Sequence, residues 1–334
     1  MKRLAIVGGG SWGTGLACVL TPRFEHTTIW VHNPVLAAEM RGRGENATFL
    51  PGIRLPEQLR VTSDLGDAVG GADVVLGVMP SHVVREIYGK LKPYLGRGVP
   101  VVSATKGLEL DSLLRMSQVI GSVLGPETGI VVLSGPSFAS EVALGHPTAV
   151  VAASCDEELA GRVQCAFSGR TFRVYASGDP VGVEIGGALK NVIAIGAGMC
   201  DGLGLGNNAV AALITRGLAE IIRLAEIIGA KRDTLSGLAG LGDLVLTCTG
   251  ELSRNRQVGR KLAGGMALGE ITRSTQMVAE GVKTSGAAVK LAAQYGVEMP
   301  IASEVHAVLS GKQTPEAAID RLMSRSLRRE IERR

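Results

Sequence analysis

The stretch Leu4-Ala5-Ile6-Val7-Gly8-Gly9-Gly10-Ser11-Trp12-Gly13 decides the fold of this 334-residue chain. Its first four residues form a short apolar run, which is typical of a buried parallel strand. The spacing Gly8-x-Gly10-x-x-Gly13 follows and leads into a helical pattern, and in that context it predicts dinucleotide binding. Gly8 permits a tight turn, Gly10 lets a pyrophosphate approach the backbone, and Gly13 lets the helix pack close to the strand.

Further apolar runs alternate with helical patterns through the first half of the chain. The runs lie at residues 27–31, 73–78, 99–104, 130–133, 149–152 and 172–175. They are continuous rather than alternating, as in a parallel sheet that helices cover on both faces. Helical patterns at 13–20, 34–43, 83–91 and 157–167 separate them. We therefore predict an α/β fold with a Rossmann-type, mostly parallel sheet in the N-terminal domain.

The pattern changes after Gly178-Asp179-Pro180 and is helical from there to the end. We predict an NAD(P)-binding domain over residues 1–180 and an all-α substrate-binding and catalytic domain over residues 181–334. Two apolar stretches, 181–200 and 209–228, carry charged residues, which in the second form one helical stripe. Buried helices of a globular domain explain both better than membrane spans do.

Composition excludes several functional classes. Hydrophobic residues make up 46% of the chain and charged residues 20%, which is the balance of a globular protein. The net charge of +4 is spread without a basic run, which argues against a nucleic-acid partner and suits small anionic ligands. Five cysteines without a C-x-x-C pair argue against a disulfide framework and a zinc site, and we expect no metal. The N-terminus lacks a signal-peptide pattern, so we expect a cytoplasmic protein.

The end of the second predicted strand bears on the choice of cofactor. An NAD-specific site usually places a carboxylate there, about 20 residues past the glycine turn, to bind the ribose 2′-hydroxyl. Here the strand ends Trp30-Val31-His32-Asn33, and the next carboxylate is Glu39. His32 and Asn33 are possible hydrogen-bond donors to a 2′-phosphate, although His32 would also fit an ordinary surface loop. The sequence predicts either NADP(H) or NAD(H) as the cofactor.

Three motifs follow predicted strands, where ligands bind in open α/β sheets. They are Met79-Pro80-Ser81-His82, Thr105-Lys106-Gly107 and Ser134-Gly135-Pro136-Ser137-Phe138-Ala139. A lysine beside the cofactor crevice suggests carbonyl polarisation or anion binding. Taken alone, however, Lys106 would more often be a solvated loop lysine.

The second half supplies three further candidates. Lys190 and Asn191 lie in an apolar, glycine-rich helix, where a lysine either pairs with an anion or loses affinity for its proton. Asp243 is the one carboxylate of the glycine-dense stretch 237–244. Ser253-Arg254-Asn255 opens a predicted helix and is compatible with a phosphate cradle or with a plain capped helix.

Together these motifs resemble the NAD(P)-dependent glycerol-3-phosphate dehydrogenase family of bacterial type, from Ile6 to about Pro300. The motifs that carry the resemblance are Gly-Gly-Gly-Ser-Trp-Gly-Thr, Ser-Ala-Thr-Lys-Gly-Leu, Leu-Ser-Gly-Pro-Ser-Phe-Ala, Ala-Leu-Lys-Asn-Val-Ile-Ala, Gly-Leu-Gly-Asp-Leu, Ser-Arg-Asn and Val-Ala-Glu-Gly. Gly15 stands where the family usually has Ala, a difference we expect to be nearly neutral. Ser137 stands where Thr is frequent and keeps the hydroxyl.

The resemblance implies a reversible reduction of dihydroxyacetone phosphate to sn-glycerol 3-phosphate, which serves phospholipid synthesis. Lys190 would be the acid/base residue, with Asp243 and Lys106 assisting it. Residues implied to contact the nucleotide are Gly8, Gly10, Ser11, Trp12, Gly13, His32, Asn33, Lys106, Ala139, Arg254, Val278 and Glu280. Residues implied to contact the triose phosphate are Lys106, Gly135, Ser137, Lys190, Asn191, Asp243, Ser253, Arg254 and Asn255.

The sequence is also compatible with two alternatives. One is another two-domain dehydrogenase, such as a 3-hydroxyacyl-CoA or 2-ketoacid reductase. The other is a protein that binds NADPH as a sensor without turning it over, which would be expected to lack Lys190 or Asp243. We also expect a homodimer, because the second half is strongly apolar.

Overall fold

The computed structural model describes residues 1–273, 279–327 and 329–330. Within these residues the first half of the chain builds one eight-stranded sheet. Its strands are β1 Arg3–Val7, β2 His26–Trp30, β3 Leu59–Thr62, β4 Val74–Gly77, β5 Val101–Ser103, β6 Ile130–Ser134, β7 Thr148–Ala153 and β8 Phe172–Ser177. The strand order is β3-β2-β1-β4-β5-β6-β7-β8, and every pair is parallel except β6 with β7. The α/β prediction is confirmed.

Helices cover both faces of this sheet. They are α1 Ser11–Leu20, α2 Pro34–Arg43, α3 Leu65–Val69, α4 Val84–Leu91, α5 Met116–Leu124, α6 Ala139–Ala143 and α7 Glu157–Phe167. In β1, Leu4 and Ile6 enter one hydrophobic core, while Ala5 and Val7 enter another on the opposite face. Because successive side chains alternate between two buried faces, the strand is a continuous apolar run.

Strand β3 is not among the predicted strands. This strand has four residues at the edge of the sheet, and Arg60 within it is exposed. An edge strand with a polar residue lacks the continuous apolar pattern by which the other strands are recognised. The chain passes from β1 through β2 to β3 and then returns to β4 on the other side of β1. That reversal opens a crevice at the carboxyl ends of β1 and β4, where ligands bind in sheets of this kind.

The second half of the described chain is helical. Its helices are α8 Pro180–Gly202, α9 Gly206–Ile227, α10 Arg232–Ser236, α11 Asp243–Thr249, α12 Arg254–Ala263, α13 Leu268–Arg273, α14 Glu280–Gln294, α15 Pro300–Leu309 and α16 Pro315–Met323, with a π-helical segment at Leu238–Gly242. Helix α8 lies at the centre and packs against α9, α11, α12, α14 and α15. Helix α8 is long and apolar enough to cross a membrane, but its apolar window is entirely buried in the described structure, as in the core helix of a globular fold.

Glycines bring α12 against α8. A methyl group at Gly198 would overlap the carbonyl of Arg256, and one at Gly259 would overlap the carbonyl of Ile195. The two backbones therefore touch, and the first residues of α12 come to lie beside the middle of α8. Leu108 from the first half is also buried in this helical core. The change from sheet to helices falls between Ser177 and Pro180, but a division into two domains at residue 180 stays a prediction.

Candidate active site

The glycine turn between β1 and α1 has the geometry its spacing predicts. Gly8 has a φ of +130°, and a side chain there would overlap the carbonyl of Val78. A side chain on Gly13 would overlap the carbonyl of Gly8, so the helix starts close against the strand. At Gly10, in contrast, a methyl group would meet nothing within 4 Å. The open side of the turn therefore lies at Gly10, the N-cap of α1.

A residue outside the predicted set holds this turn in place. Asn46 is fully buried, and its amide donates to the carbonyl of Gly9 at 2.9 Å and to Oγ1 of Thr14 at 2.8 Å. Its Oδ1 accepts from the N–H of Phe49 at 3.2 Å. The turn and the first turn of α1 are thus fixed by one side chain 32 residues further along the chain. No local sequence signal marks Asn46 as a support of the turn, because Gly9 and Thr14 are distant from it in sequence.

His32 and Asn33 lie at the end of β2, as predicted, and both are exposed. The His32 ring packs edge-on against Trp30 with centroids 5.6 Å apart. Asn33 caps α2, since its Oδ1 accepts from the N–H groups of Val35 and Leu36 at 2.9 and 3.3 Å. With the carbonyl end of the amide used by the helix, the NH₂ end of Asn33 is the end left to donate.

Ala139 begins α6 and lies against α1. A methyl group at Gly15 would come within 2.8 Å of the Ala139 carbonyl oxygen. Our expectation that Gly15 and Ala are interchangeable is therefore wrong for this chain, because α6 would have to shift to admit the extra carbon.

These features fit a dinucleotide. The first turn of α1 contains no acidic side chain, and the N-cap glycine leaves room for an anion to approach its N–H groups. Ser11 and Trp12 occupy the first two positions of that turn. Gly8 to Gly13 would hold the pyrophosphate, and the donors at the end of β2 would lie toward the adenosine ribose.

Lysine 106 projects from the loop after β5 and reaches across to the helical half. Its Nζ donates to the Gly135 carbonyl at 3.0 Å and to Oδ2 of Asp243 at 2.6 Å. Gly135 follows β6 with a φ of +146°, and its carbonyl also accepts from the hydroxyl of Ser137 at 2.9 Å. Lys106 and the pair Gly135 and Ser137, predicted from two different motifs, are therefore one connected group. The interpretation of Lys106 as a solvated loop lysine is wrong.

Lys190 meets the other oxygen of the same carboxylate. Its Nζ donates to Oδ1 of Asp243 at 2.6 Å and to Oγ1 of Thr247 at 2.7 Å. Lys190, Asp243 and Thr247 are buried, and Asp243 has 1% of its surface exposed. Thr247 was not predicted, because a threonine inside a helix carries no chemical signal of its own. Its hydroxyl also contacts the Asp243 carbonyl at 2.6 Å, one helical turn back.

Burial controls the protonation of Lys190. Its pKa is lowered to about 8: loss of solvation is the main cause, the Asp243 carboxylate acts in the opposite direction, and the positive charge of Lys106 adds to the lowering. A group with a pKa near the working pH is suited to give and take a proton. A lysine with such a pKa can donate a proton when charged and accept one when neutral.

The start of α12 lies against Asn191, the neighbour of Lys190. Asn255 donates to Oδ1 of Asn191 at 2.9 Å and accepts from the N–H of Gly281 at 3.0 Å. The hydroxyl of Ser253 accepts from the N–H of Arg256 and so caps the helix. Arg254 is the first residue of α12, and its side chain is exposed. Asn255 is thus tied into the protein at both ends of its amide, which fixes Arg254 beside it.

Glu280 begins α14 and reaches the strand edge of the first half. Its Oε2 accepts from the hydroxyl of Ser81 at 2.9 Å, and burial raises its pKa. Gly107 lies beside this pair, so Glu280 borders the loop that carries Lys106. Val278, also predicted to contact the nucleotide, lies outside the described residues.

Models of two known protein families match the chain. The N-terminal part of NAD-dependent glycerol-3-phosphate dehydrogenase matches residues 3–160, and the C-terminal part of the same enzyme matches residues 179–320. The chain belongs to the NAD-dependent glycerol-3-phosphate dehydrogenase family. It is therefore an oxidoreductase, and its nucleotide is NAD(H) or NADP(H).

Relatives extend the match over the whole chain. A glycerol-3-phosphate dehydrogenase [NAD(P)+] of Koribacter versatilis is 52% identical, with 99% of each chain covered. One from Geobacter metallireducens is 53% identical over 97% of each chain. The crystal structure of glycerol-3-phosphate dehydrogenase from Coxiella burnetii has a TM-score of 0.93 and 40% identity, and covers 97% of this chain and 99% of that one. Fold and family therefore agree.

Within the described residues, no group of three or more His, Cys, Asp or Glu side chains is arranged to hold a metal ion. The polar groups described above include two lysines on the Asp243 carboxylate, the amides of Asn191 and Asn255 and the hydroxyl of Thr247.

The open side of the glycine turn allows a direct test of the cofactor site. We predict that Gly10→Ala leaves the thermal unfolding temperature near its original value, because the methyl group meets no protein atom. It should weaken NADPH binding by at least about tenfold, or roughly 1.4 kcal/mol, because the methyl group occupies the space of the pyrophosphate. Fluorescence titration with NADPH measures the change. Gly42→Ala, another open position near the end of α2, is the matched control. Unchanged affinity in Gly10→Ala would place the pyrophosphate elsewhere.

Proposed function

We propose that this dehydrogenase catalyses the reversible NAD(P)H-dependent reduction of dihydroxyacetone phosphate to sn-glycerol 3-phosphate, which supplies phospholipid synthesis. The observation that carries the proposal is the pair of lysines on Asp243, with the Ser253-Arg254-Asn255 helix start packed beside them. The names of the family and of the relatives support the same substrate pair.

The charges of the site favour a phosphorylated substrate. Lys106 and Lys190 share one carboxylate, so with both lysines protonated this cluster has one cation more than it has anions. Arg254 adds a further positive charge at the start of α12, where the N–H groups also favour an anion. In our proposal Arg254, Asn255 and the capped turn hold the phosphate, and the carbonyl of the substrate lies toward Lys190.

Lys190 is the proposed acid and base. NAD(P)H, when bound, supplies the hydride that reduces C2 of the ketone. Charged Lys190 donates a proton to the ketone oxygen, and in the reverse direction neutral Lys190 accepts the hydroxyl proton of glycerol 3-phosphate. Lys106 adds a second positive charge near the developing alkoxide. Asp243 and Thr247 hold Nζ of Lys190 in position from the protein side.

The nucleotide residues keep the roles given by the resemblance. Gly8, Gly10 and Gly13 would shape the pyrophosphate site, and Ser11 and Trp12 would flank it. His32 and Asn33 would donate to the ribose or its 2′-phosphate, so the site accepts either nucleotide. Ala139, Lys106, Arg254 and Glu280 would line the path toward the substrate. Glu280 and Ser81 join the two halves of the chain there.

We further propose that the protein is a cytoplasmic homodimer. Large apolar side chains remain exposed on the helical half, among them Leu205, Ile227 and Leu252, and a second copy would cover such a surface. The free thiols of all five cysteines fit a reducing compartment.

The substrate proposal predicts a strong preference for the phosphorylated ketone. Oxidation of NADPH should be much faster with dihydroxyacetone phosphate than with dihydroxyacetone. In Arg254→Ala we expect KM for the phosphorylated ketone to rise about 10- to 100-fold, since a charged hydrogen bond contributes roughly 1.5–3 kcal/mol. Arg260→Ala on the same helix, whose guanidinium pairs with Asp201, should leave KM unchanged. Equal efficiency with both ketones in the unmodified enzyme would refute the phosphate-specific site.

The role of Lys190 predicts a loss of turnover without a loss of cofactor binding. Lys190→Met keeps an unbranched side chain but removes the terminal ammonium that donates the proton, so kcat should fall by about 10²- to 10⁴-fold. The dissociation constant for NADPH should stay within a few-fold of its original value. Lys90→Met, which removes a surface lysine paired with Glu86, serves as the control. Near-normal kcat in Lys190→Met would exclude it as the acid/base residue.

The lowered pKa of Lys190 predicts opposite pH profiles for the two directions. Reduction needs the charged lysine, so its kcat should fall as the pH rises through about 8. Oxidation of glycerol 3-phosphate needs the neutral lysine, so its kcat should rise through the same range. Initial rates are measured at saturating substrate over an assay range of about pH 6 to 10. They give the midpoint of the kcat profile for reduction and the midpoint for oxidation. Parallel profiles in both directions would show that another group titrates.

A further inference from the structure

The loop that carries Lys106 is anchored in the helical half of the protein. Lys106 lies three residues after the end of β5, and two residues later Leu108 is fully buried among side chains of α8 and its neighbours. Leu108 pairs with Arg115 in a short antiparallel bridge, and the N–H of Glu109 donates to the carbonyl of Leu114 at 3.0 Å. Residues 108–115 therefore form a closed loop whose far end is Arg115.

Glu184 of α8 holds that far end. Its carboxylate accepts from Nη1 of Arg115 at 2.5 Å, from the N–H of Ser117 at 2.7 Å and from the hydroxyl of Ser117 at 2.7 Å. The N–H of Ser117 is one of the groups in the first turn of α5 that the helix cannot satisfy internally. Glu184 thus caps α5 from another helix, and its side chain is buried.

The same helix also supports the stem of Lys106. Gly187 lies between Glu184 and Lys190 on α8, and a methyl group there would come 3.6 Å from Cγ of Lys106 and 2.8 Å from Oγ of Ser134. Because position 187 has no side chain, Lys106 runs directly along α8 to Asp243. One helix therefore carries Lys190, the surface that supports Lys106 and the carboxylate that anchors the loop of Lys106.

We propose that Glu184 is a positioning residue: by holding Arg115 and Ser117 it fixes the loop of Lys106 and so keeps the Lys106 ammonium on Asp243. A lysine has four rotatable bonds and loses about 1.5–2 kcal/mol of conformational entropy when it is held in place. The backbone must therefore be firmly anchored for Nζ to stay on Gly135 and Asp243. Glu184 makes no contact with the catalytic lysines themselves and acts through the loop.

The positioning role of Glu184 can be measured through the pKa of Lys190, because Lys106 affects that pKa. The groups that act on its Nζ are Asp243, Lys106, Thr247 and the thiol of Cys248, together with burial. Lys106 disfavours the charged form of Lys190 and also shares the carboxylate that favours it. If Lys106 moves away, Lys190 keeps Asp243 to itself, and its pKa rises. A disturbance of Glu184 should therefore move the pH profile of glycerol 3-phosphate oxidation to higher pH.

Glu184→Gln tests the proposal in the intact enzyme. This inference rests on the proposed function, since it assumes that Lys190 is the base. We expect kcat to fall roughly 10- to 100-fold, the effect of misplacing a group by about 1 Å, with NADPH affinity unchanged and the midpoint of the oxidation profile shifted upward. In a Lys106→Met background, Glu184→Gln should produce neither a further fall in kcat nor a further shift. Ser117→Ala, which removes one of the three hydrogen bonds, should shift the midpoint in the same direction by less.

Glu220→Gln is the matched control. Glu220 is a second buried carboxylate that caps a distant helix, since it accepts from the N–H groups of Ile301 and Ala302 at the start of α15. Its removal should lower thermal stability without moving the oxidation midpoint. An unmoved midpoint in both Glu184→Gln and Ser117→Ala, or an equal loss of kcat with and without Lys106, would overturn the proposal. An unmodified enzyme inactive on the triose phosphate would instead refute the proposed function.

Discussion

The carboxylate of Asp243 binds both lysines of the site, Lys106 and Lys190. Each oxygen accepts from a different ammonium at 2.6 Å, and the lysines come from the sheet half and the helical half. Removing three charged groups from water is costly, and good hydrogen-bond geometry only partly offsets that cost. That cost lowers the pKa of Lys190 to about 8, while two lysines on one carboxylate give the cluster one positive charge in excess when both are protonated. Both properties suit a substrate that brings a phosphate and develops an alkoxide.

Close backbone contacts make this arrangement possible. Gly198 and Gly259 let α12 touch α8, which places Asn255 against Asn191 and sets Arg254 one residue away. Gly281 lets α14 approach the same point, where a methyl group would lie 2.5 Å from the Asn191 carbonyl oxygen. The glycines of the helical half thus have the same purpose as those of the nucleotide turn. Because glycine has no side chain, the helices that carry functional groups can pack with their backbones in contact.

The features that depend on local sequence were predictable, and those that depend on distant partners were not. The strand, turn and helix around Gly8 to Gly13 follow from spacing alone, because a turn and a helix start are local structures. Lys106, Lys190 and Asp243 were singled out as unusual residues, but only the fold shows that one carboxylate binds both lysines. Asn46 and Thr247 were missed, since neither residue type is unusual in its own segment. The edge strand β3 was missed because one of its four residues is exposed.

Contacts within the protein, rather than contacts with the substrate, hold the side chain of Lys190 in position. Lys190 is held by Asp243 and Thr247, and Thr247 is in turn bound one helical turn back to the backbone of Asp243. The rotational freedom of the lysine is therefore lost when the protein folds, and none of that cost falls on the reaction. Lys106 differs, because it is partly exposed and its ammonium lies at the end of a flexible stem on a loop. Of the two lysines it has more need of external support, and α8 provides that support through the groove at Gly187 and the carboxylate of Glu184.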